Sequence, residues 1–450
     1  MASTYLTNTN PTAGNRTKGT ISVWFKRSGL GSYQHLYTEH YDGNNFGSLR
    51  LNNSDTLSFL SYDGGSAQAD IGTTRKFRDT NAWYHVVASW NTTDGTASDR
   101  VKIYINGVRE TSFSGSPTYP SSSQSIYFGV GGTNYPIRVG SISNSAQFFD
   151  GSMSHFHRVD NQALAQTVFG STDSTTGEWK ITTNPSISYT GSSDFNFFIL
   201  KDGNSVTDQS GQSNNLTVGG GTLTKTEDCP SNVFCTFNPL IAQGNQQNFT
   251  YSLGNTKVYS SSTGQESFTL GTLAFSSGKY YWEWMADGSD PEGNFWGVMD
   301  IDTHIGNGNI NTGGNDNIWG SNQGNKFNGS NGGTYGTNVA VGEKGMVACD
   351  MDNGKLWFGK NGTWFSSGGS AGNPASGTYA GFTNLAGHII TPFHSDNYST
   401  KTPTGTYNFG NGYFGTTAVS SAGSNASGLG IFEYDVPTGF TALCTKGLNE

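Results

Sequence analysis

Asp350 and Asp352, in CDMDNG, are two residues apart, the spacing that puts two carboxylates on one face of a strand. Hydrolysis of a glycosidic bond needs an acid and a carboxylate flanking that bond, so this pair is the first to weigh. It runs directly into Asn353-Gly354, a turn sequence. Both carboxylates are therefore expected to cap backbone N–H groups rather than to catalyse. Glu283, in YWEWMAD, stands alone, and no E-x-D-x-x-E strand pattern occurs. The glycine-rich GVGGTNYPIRVG (129–140) leads into no helix and carries no Lys-Ser/Thr, so it does not cradle a phosphate. The residues argue against an enzyme.

Binding chemistry is better represented. His155 and His157, in SHFHR, alternate onto one strand face and could hold a metal, but no third ligand accompanies them, which favours a polar sheet face. EHYDGNNFGS (39–48) and SYDGGSAQAD (61–70) offer oxygen ligands for Ca²⁺, with Asp42, Asn44 and Asn45 as the candidate set. The competing reading makes Asp-Gly and Asn-Asn simple turn residues. No other cofactor is expected. Trp319 lies in the polar stretch NDNIWGSNQGN with Asn315, Asp316, Asn317 and Asn322. An aromatic face beside planar amides and a carboxylate matches the C–H faces and hydroxyls of a sugar, so these five residues are the candidate ligand-binding set. The alternative is that Trp319 folds onto the edge of its domain, since large rings usually find cover.

These residues must be positioned by strands. The 450 residues are 13% aromatic and 13% charged, with 63 glycines. Rings that can be buried offset the ordering entropy, so the abundance of Gly, Ser, Thr and Asn reads as corners rather than disorder. In WYHVVASW, Trp83, His85, Val87 and Ser89 face one way and Tyr84, Val86, Ala88 and Trp90 the other. Both faces are largely apolar, which predicts a strand covered on both sides. RVKIYINGV follows with Val101, Ile103 and Ile105 on one face, and it ends in the Asn106-Gly107 turn signal. Trp90, Trp282, Trp284, Trp296 and Trp357 are on strands and are expected in the core, as is Trp83. The expected fold is all-β, with two antiparallel β-sandwich domains of jelly-roll type joined by an irregular connector.

The formal net charge is −9 with no basic cluster, which speaks against nucleic acid as a partner. No apolar run approaches the roughly 20 residues that span a bilayer, so membrane insertion is not expected. The opening MASTYLTNTNP lacks the charged and apolar regions of a signal peptide, so synthesis in the cytoplasm, or export by a route the N-terminus does not show, is expected. Cys229, Cys235, Cys349 and Cys444 are too few and too irregular for a disulfide framework. Cys229 and Cys235 are close enough to pair, and Cys349 reads as a small buried hydrophobe.

Three segments resemble laminin-G-like, or concanavalin A-like, jelly rolls: AGNRTKGTISVWFKRSGLGS (13–32), the hairpin WYHVVASW…DRVKIYINGV, and IRVGSISNSAQFFDGSMSHFHRVDNQAL (137–164). The resemblance covers 1–170. A second set, GKYYWEWMADG (278–288), FWGVMDID (295–302) and VGEKGMVACDMDNGKLWFGKNGTWF (341–365), resembles the SPRY domain, another two-sheet sandwich, over 245–415. It departs from that pattern in a long Gly/Asn insert at 303–333. Between the two lies an ordered connector with short strands, 171–244, and a C-terminal tail, 416–450, is expected to dock on the sandwiches.

The pairing of these modules, with YLTNTNPTAGNRT, TEDCPSN and PTGFTALCT, resembles bacteriophage structural proteins known mainly from marine phages. That resemblance implies a virion surface protein (fibre, tail tip or head decoration), lectin-like and non-enzymatic, that binds host carbohydrate or protein through sandwich loops. A purely structural virion component contacting neighbouring capsid or tail proteins is the alternative, and a polysaccharide hydrolase ranks below both. Other virion proteins and a host glycan are the expected partners. Without heptads or solenoid repeats the chain is no fibre shaft, and assembly into a homo-oligomer stays open.

Overall fold

In a computed structural model, the protein is described over residues 3–143, 146–191, 193–201, 205–244, 249–260, 267–288, 293–301, 318–328, 331–367, 369–396 and 402–449. The architecture is all-β, as the alternation predicts. The chain divides into two compact units, Met1–Lys225 with Cys229–Ser231, and Thr226–Asp228 with Asn232–Glu450. Among the described residues no helix is long and apolar enough to cross a membrane.

Unit 1 is built on two antiparallel sheets. One has seven strands in the spatial order Thr217–Gly220, Tyr5–Asn8, Ile137–Val139, Gln34–Asp42, Asn45–Leu51, Leu57–Asp63 and Ser66–Gly72. The other has six: Phe197–Ile199, Gly151–Asp160, Lys18–Arg27, Trp83–Asn91, Val101–Ile105 and Val108–Arg109. Phe25, Tyr37, Leu49, Phe59, Val86, Trp90, Ile103 and Phe156 fill one core cluster between them. Each such side chain contributes roughly 1.5–3 kcal/mol of burial. Gly47 lets the 126–130 segment cross close to the sheet, because a Cβ there would lie 2.1 Å from the Tyr127 carbonyl oxygen.

The expectation of a doubly covered Trp83–Asn91 strand holds, and the cover on its second face comes from the stretch assigned to the connector. The hairpin Gly170–Thr172/Trp179–Ile181 lays Trp179 over His85, with ring centroids 6.0 Å apart and planes 16° apart. Asn106 and Gly107 turn with φ of 47° and 79°, and a Cβ on Gly107 would meet the Trp179 ring at 2.3 Å. Phe195 and Phe197 are fully buried in the same core. Residues 171–244 therefore form no body of their own. Their rings pull them onto one unit or the other.

Unit 2 is a second pair of antiparallel sheets. The first has seven strands, in the order Phe237–Gly244, Ser267–Gly271, Ile390–Asp396, Asn294–Asp300, Ile318–Asn322, Asn325–Phe327 and Asn331–Thr334. The second has eight and centres on Lys279–Ala286, flanked by Thr404–Asn408 and Lys344–Asp350. Thr441–Ala442 adds to it in parallel beside Tyr280 and Tyr281. Trp282, Trp284, Trp296 and Trp319 share its core, while Tyr281, Met346, Ala348 and Trp357 on the opposite face are covered by Phe432, Val436 and Phe440 of the C-terminal segment.

Glu283 ties that segment down. Its carboxylate is fully buried and accepts the Glu433 and Tyr434 backbone N–H groups at 2.9 and 2.8 Å and the Tyr281 hydroxyl at 2.8 Å. Burial pushes its pKa up to about 7 against donors that favour the ionised form. Glu283→Ala would strand two N–H groups in the interior, and a loss of about 2–3 kcal/mol is expected. Amide exchange at Glu433 and Tyr434 would read it: faster exchange is the expected result, and unchanged rates would refute the tie.

Candidate functional site

The most chemically equipped open surface in unit 1 is the outer face of its seven-stranded sheet. Alternation fixes which residues are there. Leu49 and Leu51, Leu57 and Phe59, and Ile137 and Val139 point into the core, so Phe46, Ser48 and Arg50, then Ser58, Leu60 and Tyr62, and Arg138 point out. Register then aligns them into rows. His40, Phe46 and Tyr62 stand side by side, Arg138, Thr38, Ser48, Leu60 and Asp70 form the next row, and His35, Arg50 and Ser58 the third.

The Phe46 and Tyr62 rings are stacked with centroids 5.1 Å apart and planes 12° apart, and both are partly exposed. The His40 ring lies 6.3 Å from Phe46. Tyr62 donates its hydroxyl to Asp70 Oδ2 at 2.6 Å, and that bond raises the Tyr62 pKa to about 12. The Arg50 guanidinium carbon sits 4.8 Å over the ring of Tyr33, which is itself exposed. Beneath this surface His35 bonds Ser48 Oγ at 2.8 Å and Gln147 Oε1 at 2.7 Å, and burial drops its pKa to about 3. Along one side Ser141 O accepts from Thr38 Oγ1 at 2.7 Å and Ile142 O from Arg138 Nη1 at 3.3 Å. The partly exposed groups of this face are the Phe46 and Tyr62 rings, the Arg50 and Arg138 guanidinium groups and the Asp70 carboxylate, while Thr38, Ser48, Ser58 and Leu60 between them are buried.

The sequence-derived candidates fall elsewhere. Trp319 is 0% exposed, packed edge-on to His388 with its Nε1–H donated to Asn384 Oδ1 at 2.9 Å. The expectation of an exposed sugar platform there is corrected: Trp319 is on the strand Ile318–Asn322, paired through Val298, and alternation turns it inward. Asn315, Asp316 and Asn317 lie outside the described residues, and of Asn322 only the strand backbone, paired with Phe295, is described.

The Asp42, Asn44 and Asn45 set forms a turn. Asp42 Oδ1 accepts from Asn44 N and Asn45 Nδ2 at 2.9 Å each, and Asn45 Oδ1 accepts from Gly64 N at 2.8 Å. Asp42 Oδ1 thus shapes the turn, and Asn45 Oδ1 ties it to the neighbouring hairpin. Nor do His155 and His157 alternate onto a ligand face. His155 has φ of 49° at a bulge, and His157 is buried, stacked on Phe198 at 3.9 Å and bonded to Tyr189 OH at 2.8 Å. Among the described residues, no group of three or more His, Cys, Asp or Glu is placed to hold a metal ion. Asp350 and Asp352 cap as expected, Asp350 Oδ1 accepting from Asn353 N at 3.0 Å and Asp352 Oδ1 from Gly278 N at 2.7 Å. No disulfide joins Cys229 to Cys235, and Cys349 is fully buried.

Unit 2 also carries an open cleft of ≈ 390 Å³ bordered by Lys279, Asp352, Ser427, Phe440 and Thr441. Its ammonium group is committed, since Lys279 Nζ lies 3.0 Å from Asp350 Oδ2.

Residues 2–169 match the family model described as the concanavalin A-like lectin/glucanases superfamily. No curated protein matches the chain. Among solved structures, the SPRY domain of human HERC1 is 18% identical over 38% of this chain and 96% of its own, with a TM-score of 0.30. The heptameric SAP-like pentraxin of Limulus polyphemus is 15% identical over 34% and 68%, at 0.26. Domain 4 of AbnA, a GH43 extracellular arabinanase from Geobacillus stearothermophilus in complex with arabinotriose, is 19% identical over 32% and 61%, at 0.24.

Proposed function

We propose that the protein is a non-enzymatic surface component of a bacteriophage virion that binds carbohydrate of the host envelope through the outer face of the seven-stranded sheet of unit 1. The observation that carries the binding reading is the partly exposed Phe46–Tyr62 stack in one row with His40, beside the Arg50 guanidinium on the Tyr33 ring. Rings of this kind cover the C–H faces of a sugar, and a planar fork of N–H donors engages its oxygens. The lectin-type family model over 2–169 agrees with it. The absence of catalysis rests on the carboxylates. Asp70 is bound to Tyr62, and Asp42, at the hairpin tip, is bound to its own turn, whereas the two-carboxylate route needs a flanking pair free to exchange protons. The virion setting rests on the resemblance of the module pair and the short motifs described above.

The test uses the full chain on a glycan array and on host cells. Binding is expected, and the Phe46→Ala/Tyr62→Ala double variant should bind at least tenfold more weakly, a loss of about 1.4 kcal/mol, with an unchanged circular dichroism spectrum. No release of reducing ends from envelope polysaccharide is expected. A chain that retains neither glycan nor cell would leave the purely structural virion role.

A further inference from the structure

The arginines show an imbalance. All nine lie between residues 16 and 158, within unit 1. Six of them, Arg16, Arg27, Arg75, Arg78, Arg109 and Arg158, face carboxylates in ion pairs. Arg100 is spent on the carbonyls of Asp94 and Pro120. The remaining two, Arg50 and Arg138, both emerge on the outer face of the seven-stranded sheet. Arg50 makes no hydrogen bond or ion pair with the described residues, only the contact with the Tyr33 ring, and its Nε lies buried without a partner. Arg138 gives one bond to Ile142 O at 3.3 Å, and its Nε is likewise without a partner.

A protein of net charge −9 has ample acid to neutralise two guanidinium groups. Partly burying them unpaired costs solvation that a fixed partner would return. Asp70 is the nearby carboxylate, and its Oδ2 already accepts the Tyr62 hydroxyl. His35 and His40, the other ionisable groups of the face, are both held below the ordinary histidine range, by burial first. The cations of the face are therefore the two guanidinium groups, and its carboxylates, Asp70 and, at the hairpin tip beside His40, Asp42, accept hydrogen bonds from Tyr62 and from the turn backbone. Arg138 stands opposite Thr38, which stands opposite Ser48, two residues before Arg50. Strand spacing and rise then put the two arginine Cα atoms about 12 Å apart. Cations at that separation address different sugar units of one chain, and the Phe46–Tyr62 stack lies in the adjoining row.

We propose that the ligand of this face is an anionic glycan, a polysaccharide whose uronic acid or other acidic sugars place their oxyanions on Arg50 and Arg138 while a sugar ring covers Phe46 and Tyr62. The proposal rests on the carbohydrate reading above and narrows it to acidic chains. A guanidinium fork matches a carboxylate or sulfate bidentately, which a neutral hydroxyl array does not.

The experiment compares one uronic-acid polysaccharide with the same polymer after its carboxyl groups are reduced to alcohols, by titration of the full chain at two salt concentrations. At least tenfold tighter binding of the acidic form is expected, falling as sodium chloride rises. Arg50→Gln and Arg138→Gln should each bring the ratio of acidic to reduced affinity toward one, by weakening the acidic polymer more than the reduced one. Equal affinities for the two polymers at both salt concentrations would overturn the anionic assignment and leave the carbohydrate reading standing. Binding of neither, nor of any glycan on the array, would overturn both. The wild-type comparison decides the matter even if either variant fails to fold.

Discussion

Acidification from pH 7 to pH 4 should unfold unit 1. The outer face of its six-stranded sheet and the underside of its binding face are both held by neutral histidines. His85 receives the Trp179 indole N–H on Nδ1 at 2.9 Å and bonds Ser22 Oγ through Nε2 at 2.9 Å. An indole N–H only donates, so Nδ1 must be bare and the ring neutral. A proton there would set two N–H groups against each other and lift the Trp179 hairpin. Burial lowers His35 and His85 to about 3, and His157, pressed by burial and then by the neighbouring His155 and His85, lies well below the ordinary value.

The sign follows from proton counting. These are bases whose folded pKa is depressed, so between pH 6.5 and about 3 the unfolded chain binds more protons than the folded one. Their contribution is complete above pH 6.5 and is lost as pH falls. At pH 5 His35 and His85 have each lost about 2 kcal/mol, and His157 adds to the loss in the same direction. Glu39 and Asp150, raised by burial, work in the opposite direction but only two against three. Denaturant midpoints at pH 7, 6, 5 and 4 would measure it. His157→Phe should recover part of the loss at pH 5, and a stability flat to pH 4 would refute the neutral-histidine packing.

Trp319→Ala should cost unit 2 about 3–5 kcal/mol, the range for emptying a buried aromatic site. Trp319 is fully enclosed with Trp296, Val298 and Leu385 in one core cluster, and its loss would also leave Asn384 Oδ1 without its indole donor. The melting temperature of this unit should drop by roughly 6–20 °C. Because the residue is nowhere on the proposed face, glycan affinity at a temperature where the variant is folded should equal wild type. A stable variant with weakened binding would restore the exposed-platform reading that the structure overturns.

The contrast between Trp319 and Phe46 shows what was legible in the sequence. Period-two alternation gave the strands, the inward rings and the turns at Asn106-Gly107 and Asp352-Asn353, because those depend on neighbours in the chain. The two sandwiches were readable for the same reason. Trp319 was misread because its flanks are polar, and the burial of a short strand amid Asn and Gly is decided by the strand beside it, Asn294–Asp300. The proposed face carried a signal that went unread: FGSLRL alternates Phe46, Ser48 and Arg50 against Leu49 and Leu51. What alternation alone does not hold is the lateral order of strands. Only that order brings Phe46 to Tyr62 and sets Arg50 and Arg138 on one surface with Asp70, whose Oδ2 already accepts the Tyr62 hydroxyl. The calcium set shows a different limit of sequence: the same Asp and Asn oxygens suit a turn and a cation, and the hairpin across from them decides which backbone groups they meet.

Hydrogen–deuterium exchange on the full chain, with and without the tightest-binding glycan, tests the binding face most directly. Slowed exchange is expected in 33–62 and at 137–139, where the rings and arginines of the face are rooted. Protection confined to unit 2, with those strands unchanged at saturating glycan, would contradict it.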